Sequence, residues 1–264
     1  MRAGPWYTGR VRRLTEITPG VLAGTSSFAE TTSTVVVGRA GGCLLIDPGV
    51  TVAELARLAA DVRELGLRPV AAWSTHPHWD HVLWSRELGS ASRYATPAAV
   101  AVTETERAEL AREAQRWAPG HDFSLLGRLT PLDGATIPWD GPRAQLIVHD
   151  GHAPGHGAVF LPGPGVLVAG DMCSDAEIPL LDLAAPDPLG DYRTGLERLA
   201  TVSGVRHVVP GHGHPGDAGE FRRRLTADAA YLDALALGEP FGDPRLTGPG
   251  WLRDTHEEQM RFFS

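Results

Sequence analysis

The run Val70-Ala71-Ala72-Trp73-Ser74-Thr75-His76-Pro77-His78-Trp79-Asp80-His81-Val82-Leu83-Trp84 decides how this chain is read. Its first four residues form an apolar, strand-like stretch, and His76, His78, Asp80 and His81 then place four metal-ligating side chains within six positions. In an extended chain His76 and His78 project to the same side; in a helix they would lie about 200° apart, and Pro77 keeps His76 out of the α region. Two imidazoles can therefore face one ion. Asp80 and His81 fall at the turn into the helix-compatible Val82-Leu83-Trp84, where they can reach a second ion.

Working outward, the same order of strand, turn and ligand recurs. His156 closes Ala153-Pro154-Gly155-His156 between the apolar runs Leu146 to Val148 and Ala158 to Leu161. Asp171 ends Val166-Leu167-Val168-Ala169-Gly170-Asp171, and His212 follows Val208-Val209-Pro210-Gly211. In layered α/β proteins such strand ends gather into one pocket. Nine of the 11 histidines fall in the three clusters 76–81, 149–156 and 207–214. Of the others there, His152 and His214 are candidates to orient ligands or to face solvent, and His149 and His207 read as packing or surface residues. Trp79 and Trp84 are core or pocket-wall aromatics, Cys173 is a small buried thiol, and Arg222 to Arg224 is the solvated face of a helix. Tyr192 and Arg193 lie in a helical setting with nothing to tie them to a substrate.

Strands are expected at Thr31 to Val37, Cys43 to Ile46, Val70 to Trp73, Leu146 to Val148, Val166 to Val168 and Val205 to Val209. Between them Val52, Leu55, Leu58, Ala59, Val62 and Leu65 recur at helical spacing behind Thr51 as N-cap, and similar periodicity runs through Pro97 to Trp117, Tyr192 to Thr201 and Phe221 to Leu237. This mixture argues for sheets covered by helices in one domain spanning residues 1–264. Ala118 to Pro142 and the tail beyond Gly238, where Pro240, Pro244 and Pro249 forbid a continuous helix, are candidate loops or lids.

Composition narrows the function classes. A chain of 264 residues can bury a full core. The net charge of -8 and a pI near 5.7 leave no basic footprint for nucleic acid, and every one of the 24 basic residues is Arg. No membrane span or signal peptide is visible, and Cys43 and Cys173 alone cannot make a disulfide framework, so the expected compartment is the cytoplasm. The expected partner is a small molecule; nothing in the sequence sets the oligomeric state.

The motif series His-x-His-x-Asp-His, a later Gly-His, a Gly-Asp after a strand and a final Gly-His, spread from Asp47 to His214, resembles the metallo-β-lactamase-fold hydrolase superfamily. Asp47-Pro48-Gly49 is similar to its early Asp-x-Gly turn. The resemblance implies an αββα sandwich of two mixed sheets flanked by helices, with a dinuclear site at one edge. By the family pattern His76, His78 and His156 hold one metal, Asp80, His81 and His212 hold the other, and Asp171 bridges them, with Asp80 and Asp171 the catalytic carboxylates. Asp171 argues against a typical metallo-β-lactamase and toward glyoxalase II, lactonase, thioesterase and phosphodiesterase relatives. Lactonases of the homoserine-lactone type carry a Tyr three residues beyond the bridging Asp, where this chain has Ser174.

Imidazoles and carboxylates suit two divalent ions, with Zn2+ as first choice and Fe or Mn as alternatives. Such a pair acidifies water toward a pKa of about 7 and stabilises an oxyanion. The expectation is a metal-dependent hydrolase cleaving a carboxylic ester, thioester or lactone. Alternatives are a phosphodiesterase of the same fold, a mononuclear iron sulfur dioxygenase and a non-catalytic zinc-stabilised binding protein.

Overall fold

The computed structural model describes residues 13–264. Strands β1 (Thr15–Thr18), β2 (Val21–Thr25), β3 (Thr32–Val37), β4 (Gly42–Ile46), β5 (Arg68–Trp73), β6 (Ser92–Ala95) and β7 (Thr130–Pro131) form one sheet in that order. A second sheet has the order β12 (Gly216–Asp217), β11 (His207–Pro210), β10 (Val166–Gly170), β9 (His156–Leu161), β8 (Gln145–His149). Both are mixed: β1 to β4 pair antiparallel and β4 to β7 parallel, while β10 pairs parallel with β11 and antiparallel with β9.

Period-two alternation explains the layering. In β4, Leu44 and Ile46 face the second sheet, whereas Cys43 and Leu45 face the helices α1 (Val52–Glu64) and α2 (Pro97–Trp117). In β10, Val166 and Val168 meet that same central core, and Leu167 and Ala169 pack outward on α3 (Pro188–Ala200) and α4 (Ala218–Leu237). Strands buried on both faces read as continuous apolar runs, and helices over both outer faces complete an αββα sandwich.

Most expected elements are present, with shifted ends. α1 buries Leu55, Leu58, Ala59 and Val62, while Val52 and Leu65 at its ends are exposed. Thr51 caps it through a capping box with Glu54. α3 begins before Tyr192 because the Asp187 side chain accepts from Gly190 N at 3.0 Å and Pro188 presets the first turn. α4 begins before Phe221 because Asp217 accepts from Glu220 N at 2.8 Å. The segment Val82 to Trp84, expected to be helix-compatible, is irregular; Val82 O instead accepts from Gly127 N at 3.0 Å.

Beyond Gly238 the tail forms a short 3-10 turn at Pro244–Thr247 and then α5 (Gly250–Phe262), which begins just after the last proline. α5 is tied down through Gln259, which accepts from Leu181 N at 2.7 Å and donates to Pro179 O at 3.0 Å and Tyr231 Oη at 2.8 Å. Among the described residues no helix is long and apolar enough to cross a membrane.

Candidate metal centre

The loop after β5 carries His76, His78, Asp80 and His81; the β8–β9 turn carries His152, the end of β10 Asp171 and the end of β11 His212. The two sheets are stitched together beside them, where Thr32 N donates to Gly211 O at 2.6 Å. Strand ends from both sheets thus deliver ligand-type side chains to one edge.

These side chains form two groups. His76 Nε2 lies 3.1 Å from His78 Nδ1, His152 Nε2 lies 3.1 Å from His78 Nδ1, and Asp171 Oδ2 lies 3.3 Å from His76 Nε2 and 3.2 Å from His152 Nε2. In the second group His81 Nε2 lies 3.3 Å from His212 Nε2, and Asp80 Oδ2 lies 3.6 and 3.3 Å from the same two nitrogens. Asp171 joins the groups, its Oδ1 3.3 Å from His81 Nε2 and its Oδ2 3.3 Å from His212 Nε2. Within each group the donor atoms lie within 4.8 Å of one another.

One expected ligand is corrected. His156 is not in the first group; His152 takes that place. His156 opens β9 paired with His149, and its ring is held inside the sandwich, stacked on His76 at 5.2 Å and on His149 at 4.5 Å. Its Nε2 accepts from the backbone amide of Asp171 at 3.2 Å. Gly170, at φ +60°, makes room for that ring, since a Cβ there would sit 2.3 Å from His156 Nε2. His152 leaves the sheet with φ +72°, which turns its side chain toward Asp171.

The opposite edges of the rings fix which nitrogen is bare. His152 Nδ1 is 2.9 Å from Leu180 O, His212 Nδ1 is 2.7 Å from Ala29 O, and His81 Nδ1 is 3.1 Å from Asp47 Oδ2. Thr75 donates its hydroxyl to Asp47 Oδ2 at 2.6 Å, so its oxygen accepts from His76 Nδ1 at 3.0 Å. At His76 and His152 Nδ1 carries the hydrogen and Nε2 points a lone pair into the cluster, while His81 and His212, raised by the carboxylates around them, offer theirs once a proton leaves. The cluster therefore packs bare nitrogens and carboxylate oxygens together, and Asp171 Oδ1 has no hydrogen-bond donor. Cations resolve that crowding, and the N/O donor set suits zinc, iron or manganese.

Electrostatics agree. Burial pushes His76 and His156 well below the usual imidazole range, so they are neutral. Burial also opposes charge on His81, yet Asp171, Asp80 and Asp47 lift it to about 9. That half of the cluster calls for positive charge, and a metal ion competes with protons for the same site.

Ser174 Oγ donates to His212 O at 2.7 Å and accepts from Ala176 N and Glu177 N at 2.9 Å each, so it shapes the loop. Tyr192 is buried with its hydroxyl 3.5 Å from Asp171 O. Cys173 is buried in the apolar core beneath β10, which pushes its thiol well above the ordinary range. Arg224 is not on the solvated face expected for Arg222 to Arg224; it is buried and donates to Cys173 O at 3.2 Å and His214 O at 3.0 Å. Arg245, which sequence reasoning missed, donates to Ser174 O at 3.2 Å and Glu177 O at 2.9 Å.

The cluster lies at the floor of a cleft of about 1260 Å³. Phe28 and Trp79, packed edge to face at 5.7 Å, line it with Leu110, Leu180, Leu181 and Trp251 of α5. Trp84, by contrast, is core.

An αββα sandwich with paired His/Asp groups at one edge defines a class. Residues 28–212 match the sequence model of the Metallo-beta-lactamase superfamily, and the chain belongs to it. It is an enzyme, a hydrolase of that superfamily. It is 32% identical to a hydroxyacylglutathione hydrolase of Synechococcus sp. (strain JA-2-3B'a(2-13)) over 217 residues, 82% of this chain and 76% of that one. A Rhodobacter capsulatus protein of the same name is 34% identical over 140 residues, 46% of this chain and 54% of that protein, so this match spans about half the relative.

Among solved structures, a metallo-beta-lactamase family protein of Thermus thermophilus superposes with a TM-score of 0.65 at 24% identity, covering 84% of this chain and 83% of that one. TTHA1623 in a di-iron-bound form gives 0.58 at 28%, covering 74% and 94%.

Proposed function

We propose that the protein is a single-domain, dinuclear metal-dependent hydrolase of the cytoplasm that cleaves a thioester or a related carboxylic ester bond. The observation that carries this reading is Asp171, whose two oxygens reach both donor groups at once. His76, His78 and His152 would hold one ion and Asp80, His81 and His212 the other, with zinc the first candidate. When bound, such ions acidify water and oppose the charge of a tetrahedral oxyanion. Asp171 fixes the spacing of the two groups. Asp47 orients His81, and the carbonyls of Leu180 and Ala29 orient His152 and His212. Phe28 and Trp79 wall the reacting bond from bulk solvent. The Synechococcus and Rhodobacter relatives, named for hydrolysing an acyl thioester of glutathione, support the thioester class, and the di-iron form of TTHA1623 supports two ions.

Metal analysis with a substrate panel tests the reading. Two ions per chain are expected, with turnover of aryl esters, thioesters or lactones that chelation abolishes and added metal restores. Hydrolysis indifferent to chelation would exclude the mechanism. One iron per chain with oxidation of sulfur would replace it.

A further inference from the structure

The cleft above the metal centre has a charge that its relatives' substrate does not fit. α2 contributes Glu106, Glu109 and Glu113 to the lining, and Asp150, Asp182 and Asp191 line it from the second sheet's half of the molecule. No arginine lines it among the described residues, and the chain contains no lysine. The nearby arginines of α2 are engaged, Arg112 with Glu109 and Arg116 over the ring of Trp117. Glu113 and Asp191 are each raised by burial and then by neighbouring carboxylates, of which Glu109 is the one paired with Arg112. A second observation is Glu177, which lines the cleft with a side chain only 10% exposed. No hydrogen bond reaches its carboxylate among the described residues, and the one charge it meets is the ion pair with His212 Nδ1 at 3.6 Å.

Resting on the hydrolase reading above, we propose that the part of the substrate outside the reacting bond is apolar and positively charged, of the quaternary or primary ammonium type, and that anionic thioesters such as those of glutathione are poor substrates. Metal ions at the floor would attract the reacting carbonyl oxygen, but the remainder of the substrate lies among carboxylates and aromatic rings. Carboxylates lining one cleft concentrate cations and repel anions, and Phe28 and Trp79 give the same cleft an apolar aromatic wall. Two carboxylates of a glutathione moiety would be desolvated against Glu and Asp with no cation to receive them.

Three acetyl thioesters differing in leaving-group charge test this on the metal-loaded enzyme: acetylthiocholine, S-acetyl-N-acetylcysteamine and S-acetylglutathione. The expected kcat/KM falls in that order, with about ten- to a hundredfold between the first and last at low salt and less at high salt. In the double variant Glu106→Gln/Glu113→Gln the ratio of first to last should fall severalfold. With an aryl acetate as reporter, choline should inhibit competitively at lower concentration than S-methylglutathione. Glutathione thioester turned over as well as the thiocholine ester, stronger inhibition by S-methylglutathione, or a ratio unmoved in the double variant would overturn the inference while leaving the hydrolase reading intact. Failure to hydrolyse any of these esters with both metals bound would instead remove the hydrolase reading, and this inference with it.

Discussion

The backbone amide of Asp171 donates to Nε2 of His156 at 3.2 Å, and the His156 ring in turn stacks on His76 at 5.2 Å. One buried histidine thus holds both the residue that joins the two donor groups and a donor of the first group, without entering either group itself. His152 stands in front of it, its Nε2 aimed at Asp171 Oδ2 from 3.2 Å.

The two histidines should therefore fail differently. His152→Ala removes a donor and should cost the first ion and nearly all turnover. His156→Ala removes support, and loss of such support weakens metal affinity by about 10- to 100-fold while the donor set stays complete. Metal content after dialysis against graded chelator separates the cases; full metal in His152→Ala beside an empty first site in His156→Ala would return His156 to the ligand set.

How far this arrangement could be read in advance depended on how local its cause was. His76, His78, Asp80 and His81 were legible because a strand followed by Pro77 fixes the side each imidazole faces. The sandwich was legible because β4 and β10 are apolar on both faces. The exchange of His152 for His156 was not, since both follow a glycine in the same turn. What separates them is a positive φ at His152 and the pairing of His156 with His149 across β8 and β9, and neither has a residue-level signature. Arg224 and Arg245 were hidden for a similar reason, because their partners come from distant segments. The short strands β7 and β12 lack any sequence period of their own and exist only because a neighbouring strand offers hydrogen bonds.

Asp171 should be the residue on which both ions depend. Asp171→Asn keeps its size but removes the charge shared between the groups, so both ions should bind more weakly and turnover should fall by orders of magnitude. Titration with a chromophoric chelator gives the two affinities. A variant that holds both ions as tightly as the parent would show that this carboxylate does not join them.

Asp47 supports the site from behind and should matter to the metal-free fold as well. It sits at φ +48° and accepts from Thr75 N at 2.8 Å and Thr75 Oγ1 at 2.6 Å, with His81 Nδ1 3.1 Å away. Asp47→Ala leaves buried donors unpaired, so a loss of about 1–3 kcal/mol is expected in denaturant unfolding of the metal-free protein. Asp47→Asn keeps one acceptor oxygen and tolerates a positive φ, so it should lose less stability while still weakening the hold on His81. Equal stability of the alanine variant and the parent would contradict this account.

Arg245 couples the C-terminal tail to the loop behind the site. Its guanidinium donates to Asp228 Oδ1 at 2.6 Å and Asp243 Oδ2 at 2.7 Å, and the side chains of the three are nearly buried. The same group holds the carbonyls of Ser174 and Glu177, and Ser174 holds the carbonyl of His212. Arg245→Met fills a similar volume but strands two buried carboxylates, and breaking a buried pair in this way costs about 3–5 kcal/mol. Beyond lost stability, the loop from Ser174 to Glu177 should loosen and α5, which lines the cleft, should become open to protease. Replacing the whole set, Arg245→Met with Asp228→Asn and Asp243→Asn, removes the stranded charges and should recover part of the stability but not the order of the loop. Unfolding curves and limited proteolysis on parent, single and triple variants make the comparison. If the single variant is as stable as the parent and its tail equally resistant, the ion-pair network does not hold the cleft wall in place.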